Sequence, residues 1–362
     1  MRPRKPLRLT RQFSTSKSQP RNPFPIHPSP STFSKTFKNP TPHHIPTKFP
    51  STFLPPHTPA FKNWFLQTPP YNRLNIPYFH SLTSKYSLEF HVPVEITPTT
   101  PGSDAEITSF SWNAFLEYLS VDINELNRYN DGGGDYGGTT IPKLYLTQHE
   151  PPHFLQNDLP PPFPHLGFSI NPPSHRRSNR SSKPHPTKNP DHPPEIDIYT
   201  TSIWLSRSSP LPEYQTHTPL HRDPSHNIFL QLSSSKRIIT IPPQLGSKIF
   251  GYLHRNQRLS STDPRGRIRD GLLTFKESSV LDRVIWGCED EEEEGGMDEV
   301  EMEVVKLLEK CKDQVFETVV ERGEAVFIPE GWWHSVKSVA TSEEDGGGGG
   351  GVVGRKERGG VE

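Results

Sequence analysis

Thr218-Pro219-Leu220-His221-Arg222-Asp223-Pro224-Ser225-His226-Asn227-Ile228-Phe229-Leu230-Gln231 is the stretch from which the rest of the chain can be read. Its centre is His221-x-Asp223. Side chains two apart on a β-strand point to one face, so an imidazole and a carboxylate would converge on one point. These are two of the three groups of a 2-His-1-carboxylate set, which holds non-haem Fe(II) and leaves coordination positions open. An isolated His-x-Asp is equally well a solvated loop pair, and a chain with 17 His produces several by chance. Here the pair opens an apolar strand, and a second strand follows at Lys236. The third group is offered by Gly323-Glu324-Ala325-Val326-Phe327-Ile328-Pro329-Glu330-Gly331-Trp332-Trp333-His334-Ser335-Val336. That run reads as strand, tight turn, strand, with His334 just after the turn.

Thr218, His221, Asp223, Asn227, Lys236, Pro242-Pro243 and the run from Gly323 to His334 stand in a fixed order and spacing. In this they resemble the JmjC/cupin-like Fe(II)- and 2-oxoglutarate-dependent oxygenases. The likeness is closest to the hydroxylase branch that includes the asparaginyl hydroxylase acting on hypoxia-inducible factor. It covers roughly residues 60 to 340, with interruptions. It implies a mainly β fold with flanking helices, a double-stranded β-helix (jelly-roll, cupin-like) barrel. It also implies Fe(II) bound by His221, Asp223 and His334, with 2-oxoglutarate as co-substrate and O2 as oxidant.

The co-substrate's distal carboxylate needs a buried cation. Strand alternation puts Lys236, Ile238 and Thr240 on one face, and Arg237 on the other. A charge-assisted bond from ammonium to carboxylate contributes about 1.5–3 kcal/mol. The alternative for Lys236 is a solvated residue after the Ser233-Ser234-Ser235 turn. The resemblance makes Tyr145, in the strand Lys143-Leu144-Tyr145-Leu146-Thr147-Gln148, a co-substrate contact, with Thr147 and Gln148 near the substrate. Tyr145 is otherwise a tyrosine packed in a sheet. Thr218 adds a hydroxyl donor, and Asn227 completes the co-substrate-binding set. His217 and His226 lie nearby at the wrong offset, so outer or surface roles are expected for them.

Composition frames this core. Apolar residues are 30% of the 362. Pro (42) and Gly (25) make up about a fifth, against a usual share of about 12%. A folded core diluted with irregular chain is expected. The net charge of −1 hides an uneven distribution, because residues 1–88 hold thirteen Lys or Arg and no acid. The two cysteines, Cys288 and Cys311, have neither metal-type spacing nor the look of a disulfide framework. No apolar run approaches 18 residues, so no transmembrane helix is expected.

The organisation expected is threefold. Residues 1–58 read as a targeting leader and a Pro-rich disordered linker. The first 22 are Arg-rich and acid-free, as in mitochondrial transit peptides, though Pro3 and Pro6 oppose an early helix. The mitochondrial matrix is therefore expected, with nucleus or cytoplasm as the alternative. Residues 59–341 form the catalytic domain, with order beginning near Phe61 and low-complexity insertions near 131–138, 171–194 and 287–298. Residues 342–362 read as a disordered Gly-rich tail. Within the domain, Ser87–Ile96 reads as a strand. Trp112, Phe115, Leu116 and Leu119 mark an amphipathic helix. Asp298 and Glu301 form a capping box for a helix striped by Val304, Leu307, Leu308 and Cys311. Strands are read at Ile196–Leu205 and Lys236–Ile241, with loops after Pro243.

A protein is the expected partner. The five Lys/Arg of 171–194 could contact nucleic acid, but they lack interleaved aromatics. The resemblance calls for one more core strand after Val336, and none is visible in the sequence. The barrel would then lack a strand, or the chain would be a truncated or mis-spliced product. The reading is an Fe(II)/2-oxoglutarate-dependent dioxygenase hydroxylating a protein side chain. A JmjC-type lysine demethylase, an RNA-base hydroxylase and a catalytically silent cupin-like binding protein are the alternatives.

Overall fold

The computed structural model describes residues 21–26, 45–66, 73–86, 90–97, 106–121, 142–161, 169–170, 195–207, 215–259, 275–286, 297–339 and 351–360, apart from positions 52, 55, 56 and 257. The expected insertions at 131–138 and 171–194, and the first twenty residues, lie outside this set, as does most of 287–298.

Two β-sheets carry the architecture. The smaller has the order β1 (Asn22–Pro23), β11 (Phe316–Val320), β10 (Lys236–Ile241), β13 (Trp333–Ser338), β8 (His217–Arg222). The larger runs β2 (Thr47–Phe49), β12 (Ala325–Ile328), β9 (His226–Gln231), β14 (Gly351–Gly360), β7 (Glu195–Arg207), β5 (Lys143–His149), β3 (His91–Thr97), β4 (Glu106–Ser111), with β6 (Ser169–Ile170) pairing β7. Successive strands change sheet, β8 to β9, β9 to β10 and β12 to β13, which is the winding of a jelly roll. The fold is thus the expected cupin-like one, as two sheets rather than a single closed barrel among the described residues.

Alternation along each strand sorts the side chains into layers. Leu144, Leu146, Ile203, Leu205, Ile228, Leu230, Ala325 and Phe327 leave the outer face of the larger sheet. They pack with helices α1 (Pro59–Asn63), α2 (Ile76–Tyr86), α3 (Trp112–Ser120) and α4 (His153–Gln156), where Phe79, Trp112, Phe115 and Phe154, with Trp64 just after α1, are buried. Leu220, Ile239, Ile241 and Trp333 leave the outer face of the smaller sheet. Helices α5 (Pro243–Arg255), α6 (Phe275–Trp286) and α7 (Glu299–Lys310) cover them. Phe229, Ile238, Val326 and Ile328 lie between the sheets.

The expected helix at Trp112 is α3, its four marker residues buried and Ser111 accepting from the Ala114 N–H at 3.2 Å. The Asp298–Glu301 capping box is present on α7. The expected strand at 87–96 is ordered over His91–Thr97.

Three features depart from expectation. Within the stretch read as linker, β2 pairs with β12, and Phe49, Phe53 and Leu54 are buried. Ordered chain thus precedes residue 59, because these aromatics cap the helical side of the larger sheet. The stretch after Pro243, read as loop, is the thirteen-residue α5, with Pro243 in its first turn, where its missing N–H has no helical partner to lose. The tail expected to be disordered contains β14, whose backbone fills the gap between β7 and β9 and pairs with both. Its glycines and charges carry no strand signature. The pairing is through backbone donors and acceptors that the two flanking strands would otherwise leave open.

Candidate active site

β8 departs from strict alternation. His334 pairs with His221 and Val336 with Thr218, so three residues of β8 span two of β13. This bulge at Pro219-Leu220 reverses the inward–outward order. Leu220 goes to the helical layer, while Thr218 and His221 both line the interior. Asp223 is not on the strand, as the sequence reading had it. It is the first residue beyond β8, where the chain turns towards the other sheet. His334 lies just inside β13, after the turn at Gly331 (φ +79°), a backbone conformation that favours glycine. Two crossings between sheets thus deliver the three groups to one end of the sandwich.

There they meet. All three are buried, with one nitrogen or oxygen from each lying within 4.8 Å of the others. His334 Nε2 is 3.5 Å from Asp223 Oδ2, and His221 Nε2 is 4.0 Å from Oδ1. The imidazole centroids are 4.1 Å apart. His221 Nδ1 lies 2.9 Å from the Pro219 carbonyl, and His334 Nδ1 lies 3.3 Å from that of Trp332. A carbonyl can only accept, so each Nδ1 carries the hydrogen. In the neutral ring Nε2 then keeps its lone pair, and both Nε2 atoms face the carboxylate. Asn227 donates to Asp223 Oδ2 at 2.7 Å and fixes that group from behind. Two neutral nitrogens and one anionic oxygen, each held by a partner outside the cluster, fit a divalent transition metal.

A cavity open to solvent runs from this cluster between the sheets. Tyr145, Thr218, His221, Asn227, Lys236 and His334 line it, together with Trp204, Phe229, Ile328 and Val336. Six of the seven residues singled out from sequence therefore share one chamber, and the seventh, Asp223, touches it through Asn227.

Lys236 marks the other end. It lies four residues from Thr240, the partner of His334, or roughly 13 Å along the strand. Only 3% exposed, its Nζ donates to Thr216 Oγ1 and Ser338 Oγ, both at 2.9 Å. Among the described residues no carboxylate pairs with it. Burial, and secondarily the charge of Lys143, pushes its pKa down to about 7. The solvated-turn alternative for Lys236 is excluded by that burial. Tyr145 is fully enclosed, 5.7 Å from Nζ to ring centre. Burial, and then the nearby Glu95, hold its phenol far above the ordinary value, while the Thr218 side chain acts against them.

Thr147 does not line the cavity; the Gln148 side chain is outside the described set. His217 pairs outward with Asp282 at 2.7 Å. His226 Nδ1 accepts from the Glu330 N–H at 2.9 Å, tying the two sheet-crossing turns together. Both therefore act outside the cluster, as the offsets predict. Sequence reasoning missed Thr216, Ser338 and the apolar walls. Ser338 was accessible, since it continues the His334, Val336 alternation.

Comparison with known proteins bears on this arrangement. The cupin-like domain signature matches residues 82–347. A Jumonji C domain-containing protein 5 of Drosophila melanogaster is 27% identical over 154 residues, which are 42% of this chain and 28% of that protein. The lysine-specific demethylase JMJ30 of Arabidopsis thaliana is 28% identical over 127 residues, 35% of this chain and 22% of that protein. The matched part spans about a quarter of the length of either relative. Both likenesses point to JmjC proteins, and neither reaches down to one branch. The signature covers well over half of the sequence and includes every residue of the cavity, and the chain belongs to the cupin-like domain family.

Proposed function

We propose that the protein is an Fe(II)/2-oxoglutarate-dependent dioxygenase that hydroxylates a protein side chain. One observation carries the reading. A single cavity has a buried two-histidine, one-carboxylate cluster at one end and, at the other, a buried lysine that no carboxylate among the described residues pairs with.

His221, Asp223 and His334 would hold the metal, and Asn227 would keep the carboxylate of Asp223 in position. Bound Fe(II), with 2-oxoglutarate and O2, supplies the oxidising chemistry, in which one oxygen atom enters a substrate C–H bond and the other enters succinate as CO2 leaves. Lys236 supplies the positive charge for the distal carboxylate of the co-substrate. Tyr145 stays protonated at every working pH and can therefore donate from its hydroxyl. Trp204, Phe229, Ile328 and Val336 give the chamber apolar walls that limit water, which strengthens each of these charge interactions. A hydrolase built on the same three ligands would leave Lys236 without a task.

Anaerobic titration with Fe(II) and 2-oxoglutarate tests the proposal without a known substrate. The visible charge-transfer band of the chelate should appear in the wild type and vanish in Asp223→Ala, and His221→Ala and His334→Ala should each lose iron. Unchanged iron stoichiometry in either histidine variant would sink the ligand assignment. Iron binding without the band would favour a catalytically silent binding protein. Lysine demethylation is the second reading, favoured by the name of the Arabidopsis relative. Formaldehyde release from methyl-lysine peptides would establish it in place of side-chain hydroxylation.

A further inference from the structure

Lys236 is held by a buried chain of hydroxyls that neither the metal cluster nor the cavity lining accounts for. Thr216 Oγ1 lies 2.9 Å from Ser338 Oγ and 3.2 Å from Ser206 Oγ, all three residues being buried. Lys236 Nζ contacts Thr216 and Ser338 at 2.9 Å each. The side chains come from four separate places, namely β7 (Ser206), the residue before β8 (Thr216), β10 (Lys236) and β13 (Ser338).

Hydrogen counting fixes what this group can do. An ammonium has three hydrogens and no lone pair, and a hydroxyl has one hydrogen and two lone pairs. Lys236 spends two hydrogens on Thr216 and Ser338. Thr216 then has one lone pair left, so it accepts from one hydroxyl neighbour and donates to the other. The chain therefore runs in one direction, from Ser206 to Ser338 or the reverse. Either way two hydrogens stay uncommitted, the third of the ammonium and one hydroxyl hydrogen at the end of the chain.

We propose that Thr216, Ser338 and Ser206 are positioning residues that aim the third N–H of Lys236 into the cavity and make that end selective for a carboxylate. The inference rests on the reading of the cavity as a 2-oxo acid site and adds the residues that set its selectivity. A carboxylate is an acceptor only and takes the third N–H of the ammonium, which lines the cavity. A neutral or donating group leaves the buried ammonium uncompensated, which is costly. The groups facing Nζ are these hydroxyls and the Tyr145 ring, with the charge of Lys143 acting from β5. When Lys236 loses its proton, near pH 7 in the free protein, two hydrogens remain for two hydroxyls. A lone pair then replaces the third donor.

The test uses the full chain loaded with Mn(II) and two ligands, 2-oxoglutarate and 2-oxobutyrate, which lacks the distal carboxylate. The ratio of their dissociation constants isolates the lysine end, because general damage weakens both ligands alike. In the wild type 2-oxoglutarate should bind at least tenfold more tightly. Thr216→Val should reduce that preference tenfold or more, with Mn(II) affinity unchanged, and Thr216→Ser should restore it. Ser338→Ala gives an independent measurement should Thr216→Val fail to fold. An undiminished preference in Thr216→Val or Ser338→Ala overturns the positioning role alone. A wild type that binds neither 2-oxo acid overturns the reading of the cavity, and the positioning role with it.

Discussion

A charged Lys236 and a neutral one present opposite faces to the cavity, and pH decides between them. Burial lowers the folded-state pKa to about 7 from an ordinary 10.5. Between those values the unfolded chain binds a proton that the ligand-free fold does not, so ligand-free stability rises with pH through that window. The cost of the buried charge is fully present below about pH 7 and absent above about 10.5. Urea unfolding should show wild-type stability increasing from pH 7 to 9, and Lys236→Met should not show that increase. Binding runs the other way. A carboxylate ligand needs the ammonium, so 2-oxoglutarate affinity in the wild type should fall by up to tenfold per pH unit above 7. Calorimetry in buffers of different ionisation enthalpy should then record proton uptake. Affinity that stays level from pH 6 to 9 would show that Lys236 does not meet the ligand.

Among the elements, α5 and β13 are joined at one tight point. A Cβ on Gly246 would collide with the Trp333 indole ring, which lies on the outer face of β13 beside His334. Gly246→Ala should therefore destabilise the fold by about 1–3 kcal/mol. Its second effect should be weaker metal binding, because the displaced strand carries His334. A drop in melting temperature with metal affinity intact would show that β13 holds its place without α5. The same contact explains why α5 was hard to read from sequence. Gly246 and Gly251 weaken a helical pattern whose Leu245, Ile249, Phe250 and Leu253 are nonetheless buried. A packing need that lies in another strand leaves no local trace. By contrast, β9, β10, β12 and β13 were legible because their alternation serves two cores at once, one between the sheets and one beneath the helices. The candidate site was legible for a related reason, since its residues sit at strand ends whose spacing is fixed. The bulge in β8 was not, because a one-residue slip is visible only against the partner strand. Nor was β14, whose run of glycines and charges shows no alternation and whose observed pairing is that of its backbone with β7 and β9.

For the whole molecule, two sheets sandwich the chamber and helices close both outer faces. Among the described residues no helix is long and apolar enough to cross a membrane. Arg21, at the end of the acid-free leader-like stretch, donates to Glu317 at 3.2 Å and to the Ile285 carbonyl. The N-terminal segment thus meets the smaller sheet within a few residues of that stretch. We propose that the stretch before it directs import into mitochondria. A fluorescent fusion of residues 1–60 should collect in the matrix, and a fusion that stays in the cytosol or enters the nucleus would refute the address.

The two sheet crossings have a consequence in time. More than a hundred residues separate His334 from His221 and Asp223. At about 5–20 residues per second the ribosome needs on the order of ten seconds to add them. The first two groups of the cluster wait through that interval without their third. β14 is made later still and takes a place inside the larger sheet, between strands that were finished long before. An ion bound by all three groups can therefore be captured only after His334 has been made, so its capture reports that the two crossings are both in place.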